Sequence, residues 1–396
     1  TYIYTLSLHD ALPIYGFNEA WEQRKLGDAF TQTVGYVNPK LENIELWSLT
    51  LEKGLTPKTE RYIRDFLVLK EDKYKEVCPN DVVYNPMNMT LGAIGYNDMP
   101  ITVAVSGYYV TMKPANSING YYIKTWMQLP QSIELYKAHA TGSLLEKQRV
   151  QYPTFSEIKF TVPSLNEQQK IGEFFRNLDT LITLHQGKFL KIKNIKKAML
   201  EKMFPQDGQN TPEIRFSGFT DAWEQRKLSE VINDIADGPF GSNLKTVHYT
   251  DEREARIIQL SNIGESGWQD ENVRYTTFEH AKEIKRCIVQ ENELVMAKMM
   301  PAGLTIERPN TDKMYVLSSD AVRIKLNDIL VDSKYFVCIT KSNYFLDQVN
   351  NDSQGSTRTR TSISKIKEMQ ISTPILQEQK KIGEFFSNLD NLITLH

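Results

Sequence analysis

Residues 165–185 read LNEQQKIGEFFRNLDTLITLH, and residues 376–396 read LQEQKKIGEFFSNLDNLITLH. Seventeen of these twenty-one positions are identical. A second matched pair lies upstream of each: GFNEAWEQRKL at 16–26 and GFTDAWEQRKL at 218–228, identical at nine of eleven positions. Chance does not produce two such pairs in the same order, so the chain is a duplication. Between the matched ends the copies diverge and leave only echoes. Asn80-Asp81-Val82-Val83 answers Asn292-Glu293-Leu294-Val295, Gly92 answers Gly303, and Gly142-Ser143 answers Gly355-Ser356. The second copy carries a short insertion before Glu293. Two long copies are too few for a solenoid. They read as a fused pseudo-dimer with a pseudo-two-fold relation. Shared ends give a common frame, and divergent middles do the same kind of job on different targets.

The matched ends predict helices. Apolar residues at Ile171, Phe174, Leu178, Leu181 and His185 continue through Phe189, Ile192, Ile195, Met199 and Met203 at steps of three and four, close to a coiled-coil seam. Pro163 precedes this run, Ser164 and Glu167 have capping-box spacing, and Pro205 ends it. The second copy repeats the seam at Ile382, Phe385, Leu389, Leu392 and His396. Helices related by a two-fold perpendicular to their axes run antiparallel, so the reading is an antiparallel coiled coil that acts as a spacer rod. The alternative is that each helix packs on its own domain. His185 and His396 read as hydrogen-bonded seam residues rather than ligands. Residues 186–202, with six Lys and one Glu, read as a solvated face, with a protein partner or DNA backbone as the alternative.

The middles, 27–162 and 229–373, show short β-rich runs such as Ile101–Val105, Tyr108–Met112, Met314–Leu317 and Ala321–Leu326, with short helical stretches between. The fold class is therefore α+β, with two tandem domains joined by long helices. The boundaries are a leader at 1–15, a first domain at 16–162, a spacer helix at 163–205, a linker at 206–217, a second domain at 218–373 and a second spacer helix at 374–396. Residues 1–15 have no counterpart before the second copy and read as non-native. His396 corresponds to His185, so the expectation is a fragment that lacks the counterpart of 186–203.

The chain has 396 residues, with 47 Lys plus Arg against 49 Asp plus Glu, a formal net charge of -2. This excludes a histone-like protein that holds nucleic acid by bulk charge, and any DNA role needs locally basic faces. Cys78, Cys287 and Cys338 have no disulfide or zinc spacing and read as reduced thiols. No apolar run approaches a membrane span and no secretory signal is seen, so the expected location is the cytoplasm.

Three groups of residues have nucleic-acid chemistry. Asp237-Gly-Pro-Phe-Gly-Ser242-Asn243-Leu-Lys245 is a turn-rich loop whose amides and Lys245 suit a phosphate, or it is a tight surface turn. Gly355-Ser356-Thr357-Arg358-Thr359-Arg360-Thr361 places two Arg in a hydroxyl-rich loop, suited to phosphate and to bidentate contact with guanine, with a solvated loop as the alternative. Its first-copy equivalent retains Lys147 and Arg149. Lys58, Arg61 and Arg64 form a further basic group or a solvated face. No phosphate-binding loop, dinucleotide fingerprint, zincin or hydrolase motif is present. Asn85-Pro86-Met87-Asn88 only superficially resembles the Asn-Pro-Pro-Tyr turn of adenine methyltransferases, lacking its second Pro and its aromatic. The reading assigns no catalytic residue, no metal and no cofactor.

In combination, Glu167-Gln168 with Ile171, Glu378-Gln379 with Ile382, Pro212-Glu-Ile-Arg-Phe216 and the repeated Trp-Glu-Gln-Arg-Lys-Leu blocks resemble the specificity subunit of type I restriction–modification systems. The resemblance covers 16–396. It implies two target-recognition domains, each reading one half of a split double-stranded DNA sequence. It also implies helices that dock two methyltransferase subunits, a motor–nuclease subunit that completes the complex, and no catalysis by the subunit itself. Competing readings are a methyltransferase–recognition fusion enzyme and a coiled-coil adaptor that never touches DNA.

Overall fold

The computed structural model describes residues 17, 19–51, 54–58, 74–142, 148–206, 208–241, 243–299, 302–351 and 361–395. The chain divides into two units, Thr1–Thr183 and Leu184–His396.

In the first unit the repeated Glu22–Lys25 segment pairs antiparallel with Lys159–Val162, Glu22 opposite Val162, so the two ends of the domain lie side by side. Inside this clasp is a four-stranded antiparallel sheet in the order Phe30–Thr33, Val110–Pro114, Val82–Tyr84, Ile94–Tyr96. Helix Gly120–Gln128 packs on it through Tyr122, Ile123, Trp126 and Met127, all buried and spaced to fall on one face. Asn119 caps this helix by accepting the Tyr122 amide at 3.0 Å. A three-stranded sheet (Tyr36–Val37, Tyr74–Val77, Val103–Ser106) and the hairpin Trp47–Thr50/Gly54–Pro57 flank this frame.

The second unit repeats the frame. Glu224–Lys227 pairs with Gln370–Thr373, and the four-stranded sheet runs Ile232–Asp237, Ala321–Leu326, Leu294–Ala297, Thr305–Glu307. Helix Ser333–Ile339 stands where Gly120–Gln128 stands, capped by Asp332. Beside it lies a five-stranded sheet, Tyr249–Thr250, Tyr275–Thr276, Ala255–Ile258, Met314–Leu317, Ile288–Val289, whose last two strands repeat the pair Val103–Ser106 and Tyr74–Val77 of the first unit. Its two middle neighbours, 255–258 and 314–317, run parallel. The echo at Asn80 and Asn292 is one turn used twice. Both residues hold positive φ, 69° and 64°. The next carboxylate closes the turn each time: Asp81 accepts the Cys78 amide and Glu293 accepts the Gln290 amide.

The matched helical segments carry the same fastening in both copies. Gln168 accepts the Asn119 amide and donates to the Ser117 and Pro163 carbonyls. Gln379 accepts the Asp332 amide and donates to the Leu330 and Pro374 carbonyls. One turn on, a Cβ at Gly172 would lie 2.5 Å from Asn119 Oδ1, and one at Gly383 would lie 2.7 Å from Lys334 Cβ. Only glycine allows this approach.

These contacts fix the rotation of the helices and correct the expected seam. The first helix runs Leu165–Lys202 and the second Leu376–Thr394. Ile171 and Ile382 are buried, but in the cores of their own units, where Phe175 and Phe386 accompany them. Phe174, Leu178 and Leu181 are 57%, 38% and 52% exposed, and His185 is also exposed. Phe385 and Leu389 are partly buried against the second core, with Phe385 edge-on to Phe216, and Leu392 is exposed. His396 lies outside the described residues. Glu167 turns to Trp21.

The antiparallel contact occurs inside the second unit. Lys196 ion-pairs with Asp390, and Phe204 stacks on Phe386 at 5.9 Å, so forward steps on one segment meet backward steps on the other. Met199, Leu200, Met203 and Phe204 join the core that holds Ile382 and Phe386. The alternative of packing on the local domain therefore holds for Ile171 and Ile382.

Candidate nucleic-acid interface

The second unit brings two of the basic loops to one junction, at Lys298. Strand Ile232–Asp237 ends in Asp237, whose carboxylate ion-pairs with the Lys298 ammonium. The Lys298 amide donates to the Asp320 carbonyl at 2.8 Å, and its own carbonyl accepts the Thr361 amide at 3.0 Å. The loop after Asp237 and the loop that ends at Thr361 are thus anchored on one residue. Gly238 follows directly, its amide on the Ala321 carbonyl at 3.0 Å. A Cβ there would lie 1.8 Å from the Ser318 carbonyl oxygen, so the chain can leave the sheet at this point only through glycine.

Beyond Gly238 the loop projects into solvent. Phe240 is 74% exposed, and Asn243 and Lys245 are exposed. The Asn243 amide closes a turn on the Phe240 carbonyl at 2.8 Å, and the Lys245 amide donates to His248 Nδ1 at 3.0 Å. Ser242 lies outside the described residues, as do Ser356, Thr357, Arg358, Thr359 and Arg360.

In the first unit, Arg149 is exposed and pairs with Thr141 through two backbone hydrogen bonds of 2.9 Å. The next residue, Val150, is buried and donates its amide to the Pro86 carbonyl at 3.0 Å. This is the counterpart of the Thr361–Lys298 bond, so Arg149 holds the place that Arg360 holds in the sequence of the second copy. Pro86 belongs to Asn85–Asn88, a turn closed by bonds from the Met87 and Asn88 amides to Asn85, and its role here is to anchor a loop. Lys58 is exposed at the end of the hairpin Trp47–Pro57, on a different element from Arg149. Arg61, Arg64 and Lys147 lie outside the described residues.

Sequence reasoning missed Lys298 and His280, whose Nε2 lies 2.7 Å from the Asn243 carbonyl. Neither belongs to a motif, and both act through contacts with residues distant in sequence. The thiols are unsuited to nucleophilic work. Burial pushes all three upward, Cys338 to about 12. Among the described residues, no group of three or more His, Cys, Asp or Glu side chains is placed to hold a metal ion. Among the described residues no helix is long and apolar enough to cross a membrane.

Comparison with known proteins gives a consistent result. The family model described as type I restriction modification DNA specificity domain matches residues 18–194 and again 221–396. The specificity subunit of the type I restriction enzyme MjaVIII from Methanocaldococcus jannaschii is 22% identical over 390 residues, 95% of this chain and 88% of that protein. The crystal structure of the type-I restriction-modification system S subunit from M. genitalium is similar with a TM-score of 0.61 at 13% identity, covering 96% of this chain and 91% of that one.

Proposed function

We propose a mode of action for this chain, which belongs to the type I restriction–modification DNA specificity family and is a DNA-recognition subunit with two target-recognition domains. Each domain reads one half of a split duplex target. The first uses the loop that ends at Arg149, and the second uses the loops that meet at Lys298. The observation that carries this reading is one frame filled twice. Gln168 and Gln379 fasten matched helix starts, while the sheet beside the frame has three strands in one copy and is extended to five in the other. A shared frame with a differently extended sheet suits a reader whose targets differ and whose mounting does not.

Arg358, Arg360 and Arg149 contact phosphates or guanine edges, where the guanidinium fork fits both. Asn243 and Lys245 meet the backbone of the same half-site. Lys58, Arg61 and Arg64 add phosphate contacts in the first domain. The exposed stripe Phe174, Leu178, Leu181 belongs to the surface that docks methyltransferase subunits, two per chain. A motor–nuclease subunit completes the cytoplasmic complex. The chain itself is non-catalytic and needs no cofactor.

The test is methylome mapping in cells that express the chain with its methyltransferase partners. The reading predicts a bipartite motif that disappears when the chain is removed. Methyl transfer to DNA by the rigorously purified single chain would refute the non-catalytic assignment.

A further inference from the structure

Helix Phe278–Glu283 lies beside the exposed loop that follows Gly238 and touches it through the His280 side chain. Thr277 caps the helix by accepting the His280 amide at 3.1 Å, which places the His280 ring at the loop. His280 Nε2 lies 2.7 Å from the Asn243 carbonyl oxygen. A carbonyl only accepts, so Nε2 carries the hydrogen of this bond. His280 Nδ1 lies 2.9 Å from a Glu283 carboxylate oxygen, which orients the ring from its other edge. The face of the ring stacks on His248, with centroids 4.2 Å apart and planes 18° from parallel.

His248 is in turn the loop's own fastening. Its Nδ1 accepts the Lys245 amide at 3.0 Å, its amide donates to the Lys245 carbonyl at 2.9 Å, and its carbonyl accepts the Thr276 hydroxyl at 2.8 Å. One imidazole therefore holds the loop at two points: the Asn243 carbonyl by a hydrogen bond and the His248 ring by stacking. Asn243 and Lys245 are exposed at and between those points, together with Thr246 and Val247.

We propose that His280 is the positioning residue of this loop, and that it sets the pose in which Asn243 and Lys245 meet the DNA read by the second domain. The proposal rests on the reading of this loop as a DNA contact. An exposed loop without a fastening samples many conformations, and ordering it at the moment of binding costs affinity. A loop held beforehand presents its contacts already in place.

The experiment compares His280→Phe and His280→Gln in the full chain. Phenylalanine keeps a flat ring to stack on His248 but has no donor for the Asn243 carbonyl. Glutamine keeps a donor. Hydrogen exchange on the free protein is read at the Asn243–His248 amides. Sequence selection from a random duplex DNA library is read alongside it. The expected result is exchange that rises about three- to tenfold in His280→Phe and is restored toward wild type in His280→Gln. Selection should relax in one half of the target only, in the Phe variant. Unchanged exchange in His280→Phe overturns the fastening. Raised exchange with both half-targets still selected as in the wild type overturns the loop's role in reading DNA.

Discussion

Arg215 grips Glu378 through two parallel hydrogen bonds, Nε to Oε1 at 2.7 Å and Nη2 to Oε2 at 2.8 Å. The carboxylate is completely buried in the first turn of helix Leu376–Thr394, and the guanidinium also lies over the Trp223 ring. The segment before the second domain is thereby pinned to the helix that follows it. Removing only the cation leaves a buried carboxylate unpaired. Arg215→Met should therefore destabilise the second unit by about 3–5 kcal/mol, read from denaturant unfolding.

Glu167 occupies the same place in the first copy but has a different partner. Burial raises its carboxyl above the usual carboxylate range, and a hydrogen bond from Trp21 opposes that rise only in part. The folded first unit thus holds this proton more tightly than the unfolded chain does. The stabilising contribution is full below the unfolded carboxylate value and is lost as pH rises through the raised folded value. Glu167→Gln keeps an acceptor for Trp21 without the charge. It should raise the melting temperature of the first unit at pH 7, and the gain should vanish in acid. Thermal unfolding of both proteins across pH 4 to 8 (about the range in which a carboxyl of this kind titrates) checks the sign.

Lys298 is buried, and its ammonium is joined to Asp237 while its backbone holds Asp320 and Thr361. Lys298→Met retains the aliphatic stem and the backbone bonds but frees Asp237. The start of the exposed loop should then lose its fixed direction. Specific DNA affinity should fall about tenfold, or 1.4 kcal/mol, with little change in the salt dependence because no phosphate contact is removed. Fluorescence anisotropy at several salt concentrations measures both quantities.

Much of the frame is legible in the sequence. Glu167-Gln168 and Glu378-Gln379 mark the helix starts because the same polar pair is used twice. The β-rich runs at 101–105 and 321–326 fall on strands Val103–Ser106 and Ala321–Leu326. The rotation of the helices is not legible. Phe174 and Phe175 are both apolar, and the choice between them is made by the approach of Gly172 to Asn119, a contact between distant residues. The α+β class is readable, but the extension of a three-stranded sheet to a five-stranded one is not. Short strands such as Ile263–Gly264 and Gly267–Trp268 carry too little periodicity to register. Within the candidate interface the basic residues could be named from composition. The residues that hold them, Lys298 and His280, could not, because their side chains act on Asp237 and Asn243, partners distant in sequence that no motif links to them.

The central claim is that two domains on one frame read separate halves of a target, and equivalent arginines test it most directly. Arg149→Ala and Arg360→Ala are each expressed with the methyltransferase partners, and the methylated motif of the host is mapped. Each variant should relax or weaken recognition in one half only, and the two should act on opposite halves. A base contact should cost about 1–3 kcal/mol and loosen one position, and a phosphate contact should lower affinity evenly and reduce the salt slope by about one. If both variants altered the same half, or if neither altered the motif or its occupancy, the account of two independent readers would be contradicted.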